Sequence, residues 1–201
     1  MLIGCTNLTE ITVDTNNTVY RSDGNCLIDI QNKSLIAGCK TSVIPDDGSV
    51  TSIAQYAFWG HRGLEEITVP KAVTEVGEYA FYMCTRLENI TFLSKDIVLS
   101  DDDGTLHFNT AIHCYIDSNA YDYAVKYGRN RLAFGDVNGD EKVDSNDAIY
   151  LLRYTLLPDK YPINQNGNFN GDGVVDTEDA IGLLRYTLAP ERYPIIIKQG
   201  G

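Results

Sequence analysis

The sequence predicts an α+β chain in two parts, a β-rich repeat solenoid over 1–134 and a small all-α unit over 135–201. Two internal duplications and one spacing pattern carry that prediction. VTSIAQYAFWGHRGLEEITVP (50–70) superposes on VTEVGEYAFYMCTRLENITFL (73–93) at a spacing of 23. GDVNGDEKVDSND (135–147) returns as GNFNGDGVVDTED (167–179), at a spacing of 32. Within each copy of the second pair, oxygen-bearing side chains fall at loop positions 1, 3, 5, 9 and 12, a spacing by which a twelve-residue loop wraps a hard cation.

The shorter period comes first along the chain. Its apolar positions pair Ile53 with Val76, Ala57 with Ala80, Phe58 with Phe81, Leu64 with Leu87 and Ile67 with Ile90. A period in the low twenties with L-x-x-I-x-V cores is the mark of a leucine-rich solenoid. One coil cannot bury its own apolar edge, so neighbours must stack. Each coil should give one strand at L-x-x-I-x-V and a second, shorter one at V-T-x-I. Cys5-Thr-Asn-Leu-Thr-Glu-Ile-Thr-Val aligns on Cys84-Thr-Arg-Leu-Glu-Asn-Ile-Thr-Phe. The chain is thus expected to begin in mid-repeat, with Met1 an introduced start. The V-T-x-I-G-x-x-A-F block resembles the BspA-like class of leucine-rich repeats, which implies a recognition or adhesion surface.

Residues 14–48 interrupt the period. Val19-Tyr20 and 26–30, with 22–25 as the turn, predict a hairpin, and 34–38 a further short strand. The run 100–104, Ser-Asp-Asp-Asp-Gly, is expected as a solvated loop; it lacks the spacing of a further cation site. Alternation over 111–116 predicts a strand. Ser118 is placed to cap a helix over 119–127 that Gly128 stops. Such a helix closes the open end of a solenoid.

In the second part, loop one offers Asp136, Asn138, Asp140, Asp144 and Asp147, and loop two offers Asn168, Asn170, Asp172, Asp176 and Asp179. Position 7, Lys142 or Val174, would give its backbone carbonyl. Oxygen-only ligation in a flexible loop selects calcium, one ion per loop. Loop one has four carboxylates but Glu141 at position 6, where glycine usually permits the turn. Loop two has three carboxylates, Asn168 at position 1, and the turn-forming Gly173.

The duplication continues into one helix per loop, since DAIYLLRYTLLPDKYP (147–162) aligns on DAIGLLRYTLAPERYP (179–194). Pro158 and Pro190 end the helices. No helix precedes the first loop. A pair of half-hands lacking entering helices, with Asp at position 12 and Arg six residues beyond it, resembles a dockerin, the module that plugs secreted proteins into cohesins of a cellulosome scaffold. The resemblance spans 135 to about 197. It implies cohesin contacts at Ser145, Asn146, Leu152, Arg153 and Leu157 in one copy, and at Thr177, Glu178, Leu184, Arg185 and Ala189 in the other. It further implies an extracellular, cellulosome-associated protein of an anaerobic bacterium. The first helix is apolar on more than one face, Ile149 and Tyr150 included. A domain this small can cover only one of those faces, so apolar surface should remain for a partner.

Composition narrows the remaining classes. A net charge of −12, shared by both halves, disfavours nucleic acid and anionic membrane as partners. Nothing approaches the ~20 apolar residues of a membrane span. Five cysteines without a CxxC pair exclude a full disulfide framework and point to buried free thiols. No G-x-S-x-G, H-E-x-x-H or phosphate-cradling glycine loop is present. His113 and Cys114 are strand neighbours that face opposite ways. His61 fills the corner slot that Cys84 fills in the next coil. Glu65, Glu66, Glu75, Glu78 and Glu88 are spaced as a polar solenoid face rather than as a glycosidase pair. Three readings remain. The favoured one is a non-catalytic, scaffold-recruited binding protein. The others are the C-terminal part of a larger secreted enzyme (a peptidase or a polysaccharide-degrading one) whose catalytic domain precedes residue 1, and a calcium sensor, which the missing entering helices disfavour.

Overall fold

The computed structural model describes residues 2, 4–163 and 167–195; the end of the expected second module, to 197, lies outside the described residues. The chain divides into two compact units, Met1–Arg131 and Leu132–Gly201.

In chain order the first unit comprises β1 (Tyr20–Asp23), β2 (Cys26–Asp29), β3 (Ser34–Ala37), β4 (Ser52–Ile53), β5 (Glu66–Val69), β6 (Glu75–Val76), β7 (Asn89–Phe92), β8 (Val98–Leu99), β9 (Ala111–Cys114) and α1 (Asn119–Lys126); β10 (Arg131–Ala133) begins at its last residue and runs past the division. Each 23-residue coil contributes one strand to each of two sheets, ordered β1-β2-β3-β4-β6-β8 and β10-β9-β7-β5. The parallel registers Ile53↔Val76 and Ile67↔Ile90 are the pairs that the repeat alignment matches. A further coil, through Val98–Leu99 and Ala111–Cys114, extends both sheets by the same rule.

Between the sheets lie Ile53, Val76, Ile90, Phe92 and Ile112, with Leu64 and Leu87 at the corners, all at most 2 % exposed. Phe58 and Phe81 stack with ring centroids 5.0 Å apart and planes 9° apart. The four cysteines at 26, 39, 84 and 114 are buried and free, and Cys5 is exposed and free. Burial pushes the thiols of Cys26, Cys84 and Cys114 up to about 12.

The segment that breaks the period is built into the solenoid rather than set beside it. β1 and β2 pair antiparallel through Asp23↔Cys26, so the strand runs through Ser22 and Asp23 and the turn shrinks to Gly24-Asn25. Both turn residues have positive φ, +53° and +56°, the twist of a two-residue hairpin turn. β3 then pairs antiparallel with β2 and parallel with β4, joining the hairpin to the first regular coil.

The acidic run 100–104 is solvated as its composition predicts, with the Asp101 and Asp103 side chains 74 % and 72 % exposed, but it is also anchored. Asp101 pairs with Lys126 and accepts the Tyr127 hydroxyl, the Asp102 carbonyl accepts the Tyr123 hydroxyl, and Asp103 pairs with Arg129. The cations and hydroxyls of α1 and the turn after it therefore hold the loop down. Ser118 Oγ accepts the Tyr121 N–H at the start of α1, and Ala120, Tyr123 and Ala124 bury its inner face.

The second unit packs α2 (Ser145–Leu156) against α3 (Thr177–Leu188). Ala148, Leu151, Ala180 and Leu183 turn inward with Val137, Phe169 and Ile195. The two copies interlock through glycine. A Cβ on Gly135 would lie 3.2 Å from Leu183 Cδ1, and one on Gly167 would lie 2.9 Å from Leu151 Cδ1. The entry to each loop is thus seated under the other copy's helix. A larger residue there would have to displace these side-chain ends, and at Gly135 it would also have to hold φ +92°.

Candidate metal loops and docking helices

Each loop is wound by its own amides onto its own side-chain oxygens. In loop one, Asp136 Oδ1 accepts the N–H groups of Gly139 (2.8 Å) and Asp140 (3.1 Å), and Oδ2 accepts Glu141 N–H (3.0 Å). Asn138 Oδ1 accepts Asp140 N–H, and Asp140 Oδ1 accepts Lys142 N–H. Asp147, fully buried, accepts Val137 and Asn138 N–H on Oδ1 and Asp144 N–H on Oδ2. Asp144 in turn accepts Asn146 N–H, so positions 9 and 12 are a reciprocal capping box that starts α2.

Loop two repeats the scheme. Asn168 Oδ1 accepts Gly171 N–H, Asn170 Oδ1 accepts Asp172 N–H, and Asp172 Oδ1 accepts Val174 N–H. Asp179 accepts Phe169, Asn170 and Asp176 N–H, while Asp176 caps α3 by accepting Glu178 N–H. Position 6 differs in residue but not in conformation. Glu141 has φ +63° and Gly173 φ +96°. A non-glycine residue held left-handed costs about 1–2 kcal/mol, so loop one keeps the turn at some strain.

Among the described residues no three carboxylates, imidazoles or thiols converge on one point; in loop one the carboxylates face amides instead. Their electrostatics nevertheless favour a cation. Asp147 is pushed up to about 6, chiefly by burial and then by the charges of Asp136 and Asp140, against the lowering effect of the Asp144 and Asn138 amides. Burial likewise raises Asp136. Buried acidic oxygens that repel one another, in a donor set containing only oxygen, fit a hard divalent ion. Asp136, Asn138, Asp140, Asp144, Asp147 and the Lys142 carbonyl would hold one ion. Asn168, Asn170, Asp172, Asp176, Asp179 and the Val174 carbonyl would hold the other. The ion would supply positive charge to neutralise the loop.

The helices leave an apolar stripe outside. On α2 it comprises Ile149 (46 % exposed), Leu152 (41 %) and Leu156 (70 %), continued by Leu157 (54 %); on α3 it comprises Ile181 (49 %), Leu184 (39 %) and Leu188 (77 %). Ser145, Asn146, Arg153, Thr177, Glu178 and Arg185 are exposed beside it. Arg153 lies over the Tyr161 ring, 5.5 Å from its centroid, and Arg185 over Tyr193, 5.8 Å. Tyr150 and Ala189 are partly buried. Tyr150 packs edge-on against Tyr161 and donates its hydroxyl to the Pro162 carbonyl, so it is tied to its own unit's tail. Sequence reasoning counted Leu156 in the apolar surface of the first helix but missed Ile181 and Leu188, although i, i+3, i+4 spacing from Leu184 signals both.

The residues weighed for catalysis do not come together. His113 Nε2 lies 3.0 Å from Asn89 Oδ1, while Cys114 is buried on the opposite side of β9. His61 is buried, and the Cys84 thiol donates to the Phe58 carbonyl at 3.0 Å. Glu65 pairs with Arg86 and Glu78 accepts from Gln55.

A parallel repeat solenoid and a duplicated loop–helix unit together define a protein built of modules. Residues 29–103 match the model of the BspA type leucine rich repeat region, in six copies, and residues 134–188 match that of the dockerin type I domain. The chain therefore carries BspA type leucine-rich repeats followed by a type I dockerin. Both are non-catalytic module families, and type I dockerins generally bind calcium. A leucine-rich repeat protein from Eubacterium ventriosum ATCC 27560, known as a crystal structure, is 20 % identical with a TM-score of 0.37. The match covers 56 % of this chain and 39 % of that one. No curated protein matches the chain.

Proposed function

We propose that this chain is a non-catalytic, extracellular component of a cellulosome-type assembly in an anaerobic bacterium. Its dockerin, loaded with two calcium ions, binds a scaffold cohesin, and its repeats serve as a protein- or surface-recognition module. The observation that carries this reading is the paired exposed stripe, Ile149-Leu152-Leu156 and Ile181-Leu184-Leu188, raised on two loops that match almost bond for bond. Apolar surface of this kind on two helices of so small a unit is partner-seeking. Calcium would neutralise the loops from which both helices start, tying docking to the ion.

The two faces are closer to equal than their sequences suggest. Tyr150 is engaged by its own tail and adds little to the stripe. Of the remaining differences, Leu157 against Ala189 gives the first face more apolar area, Asn146 against Glu178 spares it a charge, and Ser145 against Thr177 favours the second by one methyl group. The test is a pair of double variants, Leu152→Ala with Arg153→Ala and Leu184→Ala with Arg185→Ala, titrated against scaffold cohesins with calcium and with chelator. Calcium-dependent capture, with the larger loss from the first pair, is the expected result. Capture that is absent, or indifferent to chelator, refutes the reading.

A further inference from the structure

The turn that follows each docking helix is built the same way in both copies. The Leu157 carbonyl accepts the N–H groups of Lys160 and Tyr161 at 3.1 Å, and the Ala189 carbonyl accepts those of Arg192 and Tyr193 at 3.0 Å. Each turn thereby brings a tyrosine ring back beside the last turn of its helix, where Arg153 or Arg185 stands. Two cations lie over each ring. Arg153 and Lys160 are 5.5 and 5.4 Å from the Tyr161 centroid, and Arg185 and Arg192 are 5.8 and 5.3 Å from that of Tyr193. These are cation–π distances.

Four of the six basic residues of this unit are thus gathered at the two helix ends, Lys142 and Lys198 being the others. All four are exposed. Among the described residues their side chains have no ion-pair or hydrogen-bond partner, although Asp159 and Glu191 adjoin them in sequence. Cations of the repeats differ: Arg21, Arg86, Lys95, Lys126 and Arg129 all pair with carboxylates.

We infer that Tyr161 and Tyr193 are positioning residues for docking, each holding a pair of cations at the end of its apolar stripe, where they meet acidic side chains of the partner. The inference rests on the docking reading above and adds both tyrosines, Lys160 and Arg192 to it. A long side chain free in water loses rotamer freedom when it binds, and one already laid on a ring has less to lose. Unpaired positive charge in an otherwise acidic unit is complementary to carboxylates, so the partner's matching patch is apolar with an acidic end.

The two copies are not equal in this respect. Tyr150 packs edge-on against Tyr161 at 5.8 Å and donates to the Pro162 carbonyl, which braces the first ring. Gly182 holds the equivalent place on α3, where an added Cβ would meet nothing within 4 Å, and Tyr193 is exposed. The first ring is the better held, and Tyr150 acts on Arg153 through it.

The full chain, with calcium, is titrated against scaffold cohesins at about 0.05 and 0.5 M salt. Wild-type binding should weaken with salt. Tyr161→Leu, which keeps an apolar side chain but no ring, should bind about two- to fivefold more weakly at low salt and depend less on salt. Tyr161→Phe, which keeps the ring, should restore both values, and Tyr193→Leu should cost less than Tyr161→Leu. In an Arg153→Ala background Tyr161→Leu should lose most of its effect, because the ring acts through that guanidinium. In the free chain, the Arg153 side-chain protons should show an upfield ring-current shift that Tyr161→Leu removes and Tyr161→Phe keeps. Equal losses from Tyr161→Leu with and without Arg153, no recovery in Tyr161→Phe, salt-indifferent wild-type binding, or no ring-current shift each overturn the inference. A wild type that no cohesin binds refutes the proposed function and this role with it. A wild type that binds, with variants that bind equally well, overturns this role alone.

Discussion

Replacing Phe81 by Ala tests whether the solenoid stands on its internal ladder. Phe81 is fully buried and stacks on Phe58 at 5.0 Å with planes 9° apart. A buried Phe removes about 150–250 Å² from water, worth roughly 4–6 kcal/mol at ~25 cal/mol per Å². Part of that area stays covered after truncation, and measured Phe→Ala losses in cores run at about 3–5 kcal/mol. At about 4 °C per kcal/mol for a unit of this size, the melting temperature should fall by roughly 12–20 °C. The assay is chemical denaturation followed by far-ultraviolet circular dichroism, with calorimetry as a check. A cycle of Phe58→Leu and Phe81→Leu isolates the stack, which should contribute about 0.5–1.5 kcal/mol of coupling. A loss below about 1 kcal/mol for Phe81→Ala, or strict additivity in the cycle, would show that the two rings do not form one column.

Further outcomes can be checked with the same tools. Calcium at about a hundred times its dissociation constant should stabilise the dockerin by ~2.7 kcal/mol for each loop that it fills while the repeats are unaffected; a transition from that unit that ignores chelator would refute the paired metal loops. Gly173→Ala, whose added Cβ meets nothing within 4 Å but must hold φ +96°, should cost about 1–2 kcal/mol from backbone strain alone, whereas Glu141→Gly should gain about 1 kcal/mol. Only Cys5 should react quickly with a thiol reagent in the native state, and fast modification of more than one thiol would contradict the burial of the other four. Cys26, Cys84 and Cys114 stay protonated up to about 12 in the folded chain but ionise near 9 when exposed. The folded state then holds protons that the unfolded state releases. Their contribution is intact below about pH 9 and declines towards pH 12, by about 1.4 kcal/mol per pH unit for each thiol. Denaturation midpoints at pH 8 and 10 measure the decline, and Cys84→Ala should shrink it by about a third.

Short-range pattern made much of this protein legible in its sequence. The 23-residue register names the residues that pair across β4 and β6 and across β5 and β7, because in a solenoid every coil repeats the same contacts with its neighbour. The twelve-residue spacing likewise names the loop oxygens, since the side chains concerned bond to amides only a few residues away. What depends on segments distant in the chain was not legible. Composition alone makes 100–104 a solvated loop, yet Lys126, Tyr127 and Arg129, more than twenty residues on, bind it. Tyr150 reads as part of an apolar docking face until Tyr161 and Pro162 fold back against it. The register sets Tyr56 on Tyr79 and Trp59 on Tyr82, but no local rule places Tyr56 and Tyr79 in left-handed backbone. Stacking of one coil on the next brings those rings together, and only the assembled solenoid can offset the strain of holding them there.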